Sequence, residues 1–328
     1  MDRFSGVFGN KDNIAMFSSL IEAGKLSHAY LLAGAEGSGK KTLALAVVAA
    51  LASKTSDENT VRRITDGYCP DVSLVNPPED KKTTGIDTVR EFISKVALSP
   101  EELEFKMYIF DKADRLTPQA QNSLLKVIEE PPADVYIILL CEEPSSMLKT
   151  VRSRVQTVFM EKFSPARIAE FFRRNGGVDT YGDKFDFAAR LCRGAIGKVK
   201  ELVSDEKAFS LYESVGELVA LQTQKLRGAS YFDFIKKISD LSVSRDDFSV
   251  LTDYLLLAYR DVIAVKANEN EDTVFFTKER AAALSDSIAM DSLEISAEAV
   301  SKISQGTQFN TNINISSAYL ASLLWNAV

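Results

Sequence analysis

Ala29-Tyr30-Leu31-Leu32-Ala33-Gly34-Ala35-Glu36-Gly37-Ser38-Gly39-Lys40-Lys41-Thr42 decides how the first half of this chain folds. An apolar run of β type feeds a glycine-rich turn, and the turn opens a helix expected over Lys40 to Ala52. The spacing Gly34-x-x-x-x-Gly39-Lys40 is that of a phosphate-binding loop. Its glycines let backbone N–H groups turn inward around phosphate oxygens, and the helix N-terminus adds a favourable dipole. Gly34, Gly37, Ser38, Gly39, Lys40, Lys41 and Thr42 are therefore the candidate nucleotide contacts, with Lys40 reaching the terminal phosphates. A glycine-rich turn with an incidental lysine is the bland alternative. The strand before the loop and the helix after it speak against that alternative.

Outward from the loop, apolar runs alternate with helical patterns, as a parallel α/β sheet requires. Lys106-Met107-Tyr108-Ile109-Phe110-Asp111 reads as a second strand ending on a carboxylate, Val135 to Cys141 as a third, and Val155 to Met160 as a short fourth. Between the second and third lies a helix with Thr117 as N-cap and Pro118 in its first position, where a missing N–H costs nothing. Leu124, Leu125 and Ile128 form its apolar stripe, and Pro131-Pro132 stops it. That stripe is read as core packing. After Met160 the strand pattern ends and helical periodicity runs on, with Ser164-Pro165 starting a new helix and Gly194-Ala195-Ile196-Gly197 and Ser204 to Lys207 as boundaries. The expected layout is a nucleotide-binding α/β domain at 1–162, a small helical lid at 163–205 and an all-α domain at 206–328.

Two positions in the expected site carry the wrong chemistry for hydrolysis. After Lys40 a phosphate loop normally has Ser or Thr, whose hydroxyl ligates Mg²⁺, and here Lys41 stands there. Thr42 follows, but a helix turns by about 100° per residue, so its hydroxyl is expected to point elsewhere. Asp111 sits where a carboxylate holds the metal. The next residue in hydrolysing proteins is a Glu that positions or deprotonates water, and here it is Lys112. Loss of a general base typically costs about 10²–10⁴-fold in rate. Asp114 has the wrong offset to substitute simply, and Glu142-Glu143 after the third strand would repel a γ-phosphate. The chain keeps a phosphate cradle without an evident hydrolytic machine.

Composition narrows the rest. Of 328 residues, 45% are hydrophobic and 26% charged, enough for two or three domains with buried cores. The formal net charge of −7 argues against a protein that coats nucleic acid on its own. Cys69, Cys141 and Cys192 lie far apart, odd in number and without a CxxC pair, so neither a disulfide framework nor a zinc site is expected. The start at Met1 lacks the flank and core of a signal peptide, and the most apolar run, Leu43 to Leu51, falls short of the roughly 20 residues that cross a bilayer. A cytoplasmic protein without membrane contact is expected. His28 is read as bonding a backbone carbonyl, Cys141 as a buried small hydrophobe, and Arg62-Arg63, Lys81-Lys82 and Arg173-Arg174 as solvated basic pairs.

Taken in order, Val7-Phe8-Gly9-Asn10, His28 to Leu32, Gly34 to Lys40, Asp111 to Leu116, Gln121 to Pro132 and Thr150-Val151-Arg152-Ser153-Arg154 resemble the bacterial clamp-loader AAA+ family. The stretches Asp111-Lys112-Ala113-Asp114-Arg115-Leu116, Ala120 to Lys126 and Glu129-Glu130-Pro131-Pro132 resemble its delta-prime type most closely, and Asn310 to Leu324 is similar to the family's last collar helix. The resemblance implies a P-loop AAA+ domain, a lid and a collar that oligomerises. It implies a subunit of a hetero-pentameric ring with gamma/tau and delta types, which opens a sliding clamp and sets it on primed DNA of the DNA polymerase III system. It also implies that Arg154 is an arginine finger acting on a neighbouring subunit's ATP site, where a guanidinium stabilises transition-state charge. On residues alone, a surface arginine in a salt bridge is the plainer reading of Arg154.

Departures from the family bear on cofactors. Val155 replaces the usual Cys after the finger. Many relatives carry four zinc cysteines after the first helix of the loop, whereas Ser53 to Asp71 holds only Cys69, so no zinc is expected and the segment must be held by other contacts or move. At Gly194-Ala195-Ile196-Gly197-Lys198 a lysine stands at or next to the usual arginine. ATP is the expected ligand if the loop binds one, with Mg²⁺ disfavoured and Asp111 at its edge. A structural ring member with weak or absent hydrolysis of its own is the leading reading. An ATP-hydrolysing gamma/tau-type motor of the same ring is the alternative, and a small-molecule kinase a distant third.

Overall fold

The computed structural model describes residues 3–77, 83–96, 98–174, 182–192, 194–223, 230–267, 273–306 and 312–327, and the basic pair Lys81-Lys82 lies outside them. Two compact units emerge: 1–164 together with 194–198, and 165–193 together with 199–328.

The first unit is built on a five-stranded parallel sheet in the order β2-β3-β4-β1-β5. Its strands are β1 (Ala29–Ala33), β2 (Val72–Val75), β3 (Lys106–Phe110), β4 (Val135–Cys141) and β5 (Gln156–Phe159). Four of them are the strands expected from sequence. The fifth, β2, has no strong signal, because its four residues are all only half-buried at the sheet edge and lack the long apolar run of an interior strand. Ala33 pairs with both Cys141 and Phe159, which brings the β1, β4 and β5 ends level. Phe110 pairs with Leu139, so Gly34, Asp111 and Glu142 all leave the sheet at one edge.

Side chains alternate between two cores, as the two-residue period of a strand demands. Tyr30, Leu32, Met107, Ile109, Ile138 and Leu140 enter one, against α1 (Lys11–Glu22) and α2 (Lys40–Ala52). Leu31, Tyr108, Phe110, Ile137 and Leu139 enter the other. There they meet Val89 and Phe92, then Ala120 and Leu124, from the two helices Ile86–Val96 and Pro118–Glu129. Burial of each large apolar side chain contributes about 1.5–3 kcal/mol, and both faces are covered, as an all-parallel sheet needs. Thr117 caps its helix as expected, its side chain accepting from the Ala120 N–H at 3.2 Å, with Pro118 in the first turn.

The second unit is helical throughout its described residues. Helix Arg245–Lys266 runs through its core, opened by a capping box between Ser244 and Asp247. The helix resembling the last collar element is Ile313–Asn326. The segments expected as separate domains, 163–205 and 206–328, share this core: Phe187 of helix Asp183–Leu191 stacks on Tyr212 with ring centroids 4.2 Å apart, and also meets Phe209, Tyr254 and Phe275. No described helix is long and apolar enough to cross a membrane.

Candidate nucleotide site

The loop after β1 takes the form its glycines allow. Gly37 and Gly39 have φ of 78° and 89°, a region that costs an L side chain strain, and Gly39 caps α2. A Cβ at Gly37 would lie 2.6 Å from the backbone nitrogen of Lys198, so only glycine permits this approach. The approach is sealed by the Gly197 N–H, which donates to the Gly37 carbonyl at 2.9 Å. Lys40 folds back over the loop, its ammonium donating to the carbonyls of Gly34 at 2.5 Å and Ala35 at 3.0 Å. Burial pushes that ammonium below the ordinary lysine range, while Glu142, Asp111 and Asp114 pull it the other way. The Ser38 hydroxyl oxygen is buried and without a hydrogen-bond partner among the described residues. An unanswered polar atom inside a glycine cradle fits a loop shaped for an oxygen-rich ligand.

A cleft of about 260 Å³ opens beside this loop, lined by Glu36, Gly37, Gly39, Lys40, Lys41, Thr42, Asp111, Lys112, Asp114, Leu140, Cys141, Glu142 and Gly197. The loop residues and Asp111 expected at a nucleotide site are thus brought together here, apart from Gly34 and Ser38, which do not line the cleft. Thr42, which helical geometry turns away from a metal position, still reaches the cleft wall beside Lys41. Asp111 accepts from the Lys112 N–H at 2.9 Å, which turns its carboxylate back over the start of the following turn. Lys112 is left-handed, with φ of 50°, and heads the short 3-10 turn Ala113–Arg115. That turn carries Asp114 into the cleft wall, with a buried Oδ1 that has no hydrogen-bond partner among the described residues. Burial raises the Cys141 thiol to about 12, so it stays protonated and behaves as a small hydrophobe.

Lys112 spends its charge within the loop. Its ammonium lies 2.9 Å from Glu36 Oε1, and the ammonium of Lys198 lies 3.1 Å from Glu36 Oε2. Lys112 first and Lys198 second hold the Glu36 carboxyl down to about 2. Sequence reasoning missed Glu36 because it occupies a free position of the loop pattern, and its partners are 76 and 162 residues away. Among the described residues no group of three or more His, Cys, Asp or Glu is gathered closely enough to hold a metal ion.

Arg154 is not among the cleft residues. It follows α6 (Lys149–Arg152), α3 to α5 being Glu58–Thr65, Ile86–Val96 and Pro118–Glu129. Its Nε lies 2.5 Å from Glu129 Oε1 at the end of α5, and its guanidinium also donates to the Thr150 carbonyl at 3.0 Å. The side chain is 40% exposed, so the salt bridge orients a guanidinium that remains accessible. His28 Nε2 donates to the carbonyl of Ile128 at 2.7 Å, the structural role read from its position.

The segment without zinc cysteines is held by ordinary contacts. Asp57 caps α3, Val61 and Ile64 enter the core, and Arg3 and Arg63 pair with Glu58 and Glu102. Asp71 is buried and accepts from the N–H groups of Glu101, Glu102 and Leu103 at 2.7–3.1 Å. Cys69, Cys141 and Cys192 are not joined in disulfides.

With this geometry in place, relatives can be compared. A family profile described as DNA polymerase III, delta subunit, matches residues 9–164. DNA polymerase III subunit delta' of Bacillus subtilis is 30% identical over 265 residues, covering 78% of this chain and 77% of that protein. The tau subunit of the same organism is 24% identical over 286 residues, which is 80% of this chain but only 50% of the longer protein. Among solved structures, a gamma subunit-related protein of DNA polymerase III from Thermotoga maritima shares the fold, with a TM-score of 0.50 at 17% identity over 94% of this chain and 98% of that one.

Proposed function

Because the chain belongs to the family of DNA polymerase III delta-prime clamp-loader subunits, we propose that it completes a hetero-pentameric ring with gamma/tau- and delta-type subunits and acts there without hydrolysing ATP itself. In this reading it works in the cytoplasm and makes no membrane contact. The ring opens the sliding clamp and sets it on primed DNA, and the helical segment 206–328 supplies the collar. The observation that carries the reading is the state of Lys112. The position from which a carboxylate would activate water holds an ammonium bonded to Glu36 instead, and an ammonium bound to a carboxylate cannot take a proton from water at neutral pH.

A bound ATP would supply a triphosphate for the cradle. Loop N–H groups around Gly37 to Lys40 would receive its oxygens, and Lys40 would exchange two carbonyls for phosphate. Lys41 in place of a metal-binding hydroxyl makes Mg²⁺ a poor companion, and no zinc is needed because α3 and Asp71 hold the segment where relatives carry it. Arg154, accessible and braced by Glu129, is suited to reach a site on the next subunit rather than its own cleft.

Titration of the purified chain with ATP, with and without Mg²⁺, should show binding little helped by the metal and no phosphate release. In the reconstituted ring, Arg154→Ala should lower a neighbour's ATPase by about 10³-fold, the scale of a lost arginine finger. An undiminished ATPase rejects the finger. Mg²⁺-dependent release by the isolated chain, abolished by Lys40→Ala, would make it a gamma/tau-type motor instead.

A further inference from the structure

The cleft contains a carboxylate positioned as an anion among lysines. Glu36 gives one oxygen to Lys112 and the other to Lys198, and these contacts draw together three separate parts of the first unit: the phosphate loop, the end of β3 and the 194–198 segment. The hydrogen bond from Gly197 to Gly37, one residue along the loop, fixes the same approach through the backbone. Both lysines are thereby spoken for. Charges around the loop then balance, with Lys40, Lys41, Lys112 and Lys198 set against Glu36, Asp111, Asp114 and Glu142. A polyphosphate approaching such a cleft without a metal meets little net attraction.

We propose that Glu36 is a self-supplied anion that competes with the phosphates of a nucleotide for Lys112 and Lys198, so that the loop is latched until the carboxylate swings away. The inference rests on the reading of this loop as a phosphate cradle. Glu36 has room to leave, since its side chain is 44% exposed, and on release it takes its charge into solvent. The two freed ammonium groups then offer the positive charge that Lys41 prevents a metal from bringing. Lys112 and Lys198 thus form a switchable anion site.

The test is calorimetric titration of the full chain with ATP in excess EDTA. Glu36→Gln keeps the side chain's shape but removes its charge, and should bind ATP about tenfold more tightly than the natural chain, as loss of one adjacent charge predicts. The gain should vanish when Lys112→Ala and Lys198→Ala are added. Glu142→Gln removes a charge from the same cleft without touching the latch and should yield a smaller gain. The latch is overturned if Glu36→Gln binds no more tightly than the natural chain, if Glu142→Gln matches it, or if the triple variant keeps the gain. In those cases ATP binding by the natural chain, lost in Lys40→Ala, leaves the cradle itself standing. Absence of binding by the natural chain and by Glu36→Gln alike overturns the cradle and, with it, the competition.

Discussion

Lys112, at the position where the proposed reading places a lost catalytic group, has a partner in the structure. Glu36 is held by Lys112 and Lys198, and its carboxyl is brought down from 4.5 to about 2. For a carboxylate lowered on folding, the pair's stabilisation is fully present above the ordinary value and is lost as pH falls through the folded one. The ion pairs should therefore persist at pH 4, with a Glu36 carboxyl titration midpoint near 2 by ¹³C NMR. Lys112→Ala should raise that midpoint toward the ordinary range, and an unmoved midpoint would remove Lys112 as its cause. Partial exposure keeps the pairs modest for stability, on the order of 1 kcal/mol or less each. At this scale Lys41, Lys112 and Arg154 stand out in the sequence, because each departs from or fits a local pattern. Glu36 does not, because its meaning depends on groups that approach only in the folded chain.

Among the elements, α3 and the turn at Asp71 show how the segment after α2 is held by a cap, buried side chains and a buried carboxylate. Asp71 satisfies three consecutive N–H groups of the 101–103 turn from a buried position, which joins the start of β2 to the approach of β3. Removing the carboxylate leaves those donors without their acceptor, so Asp71→Ala should destabilise the first unit by about 3 kcal/mol. Chemical denaturation measures this, and a change within about 0.5 kcal/mol, the level of an ordinary surface substitution, would contradict the assigned role. Strand β2 escaped sequence reading for a related reason. An edge strand of four half-buried residues has little apolar signal of its own and is defined by pairing with β3. By contrast α5 was readable end to end, since Thr117, Pro118 and Pro131-Pro132 act locally on backbone donors and dihedrals.

At the scale of the molecule, the residues 165–193 and 199–328 group into one compact unit. Helical spacing marks where helices begin and end but not which of them share a core. Phe187 decides that here, reaching from helix Asp183–Leu191 into the aromatic cluster of Tyr212, Tyr254 and Phe275. Phe187→Ala should destabilise the second unit by about 3–5 kcal/mol through lost burial and the cavity left behind. Calorimetry should show the fall in that unit's transition, and an unchanged transition would mean that 165–193 folds apart from 199–328. By itself the sequence determined the parallel sheet, the phosphate loop and the family, because each is written in short-range patterns of turn, strand and cap. Only the tertiary structure decided that Glu36 occupies both lysines, that Glu129 braces Arg154 and that Phe187 joins the rings of Tyr212, Tyr254 and Phe275. Those are contacts between residues far apart in the chain, and no local pattern encodes which distant charge or ring a side chain will meet.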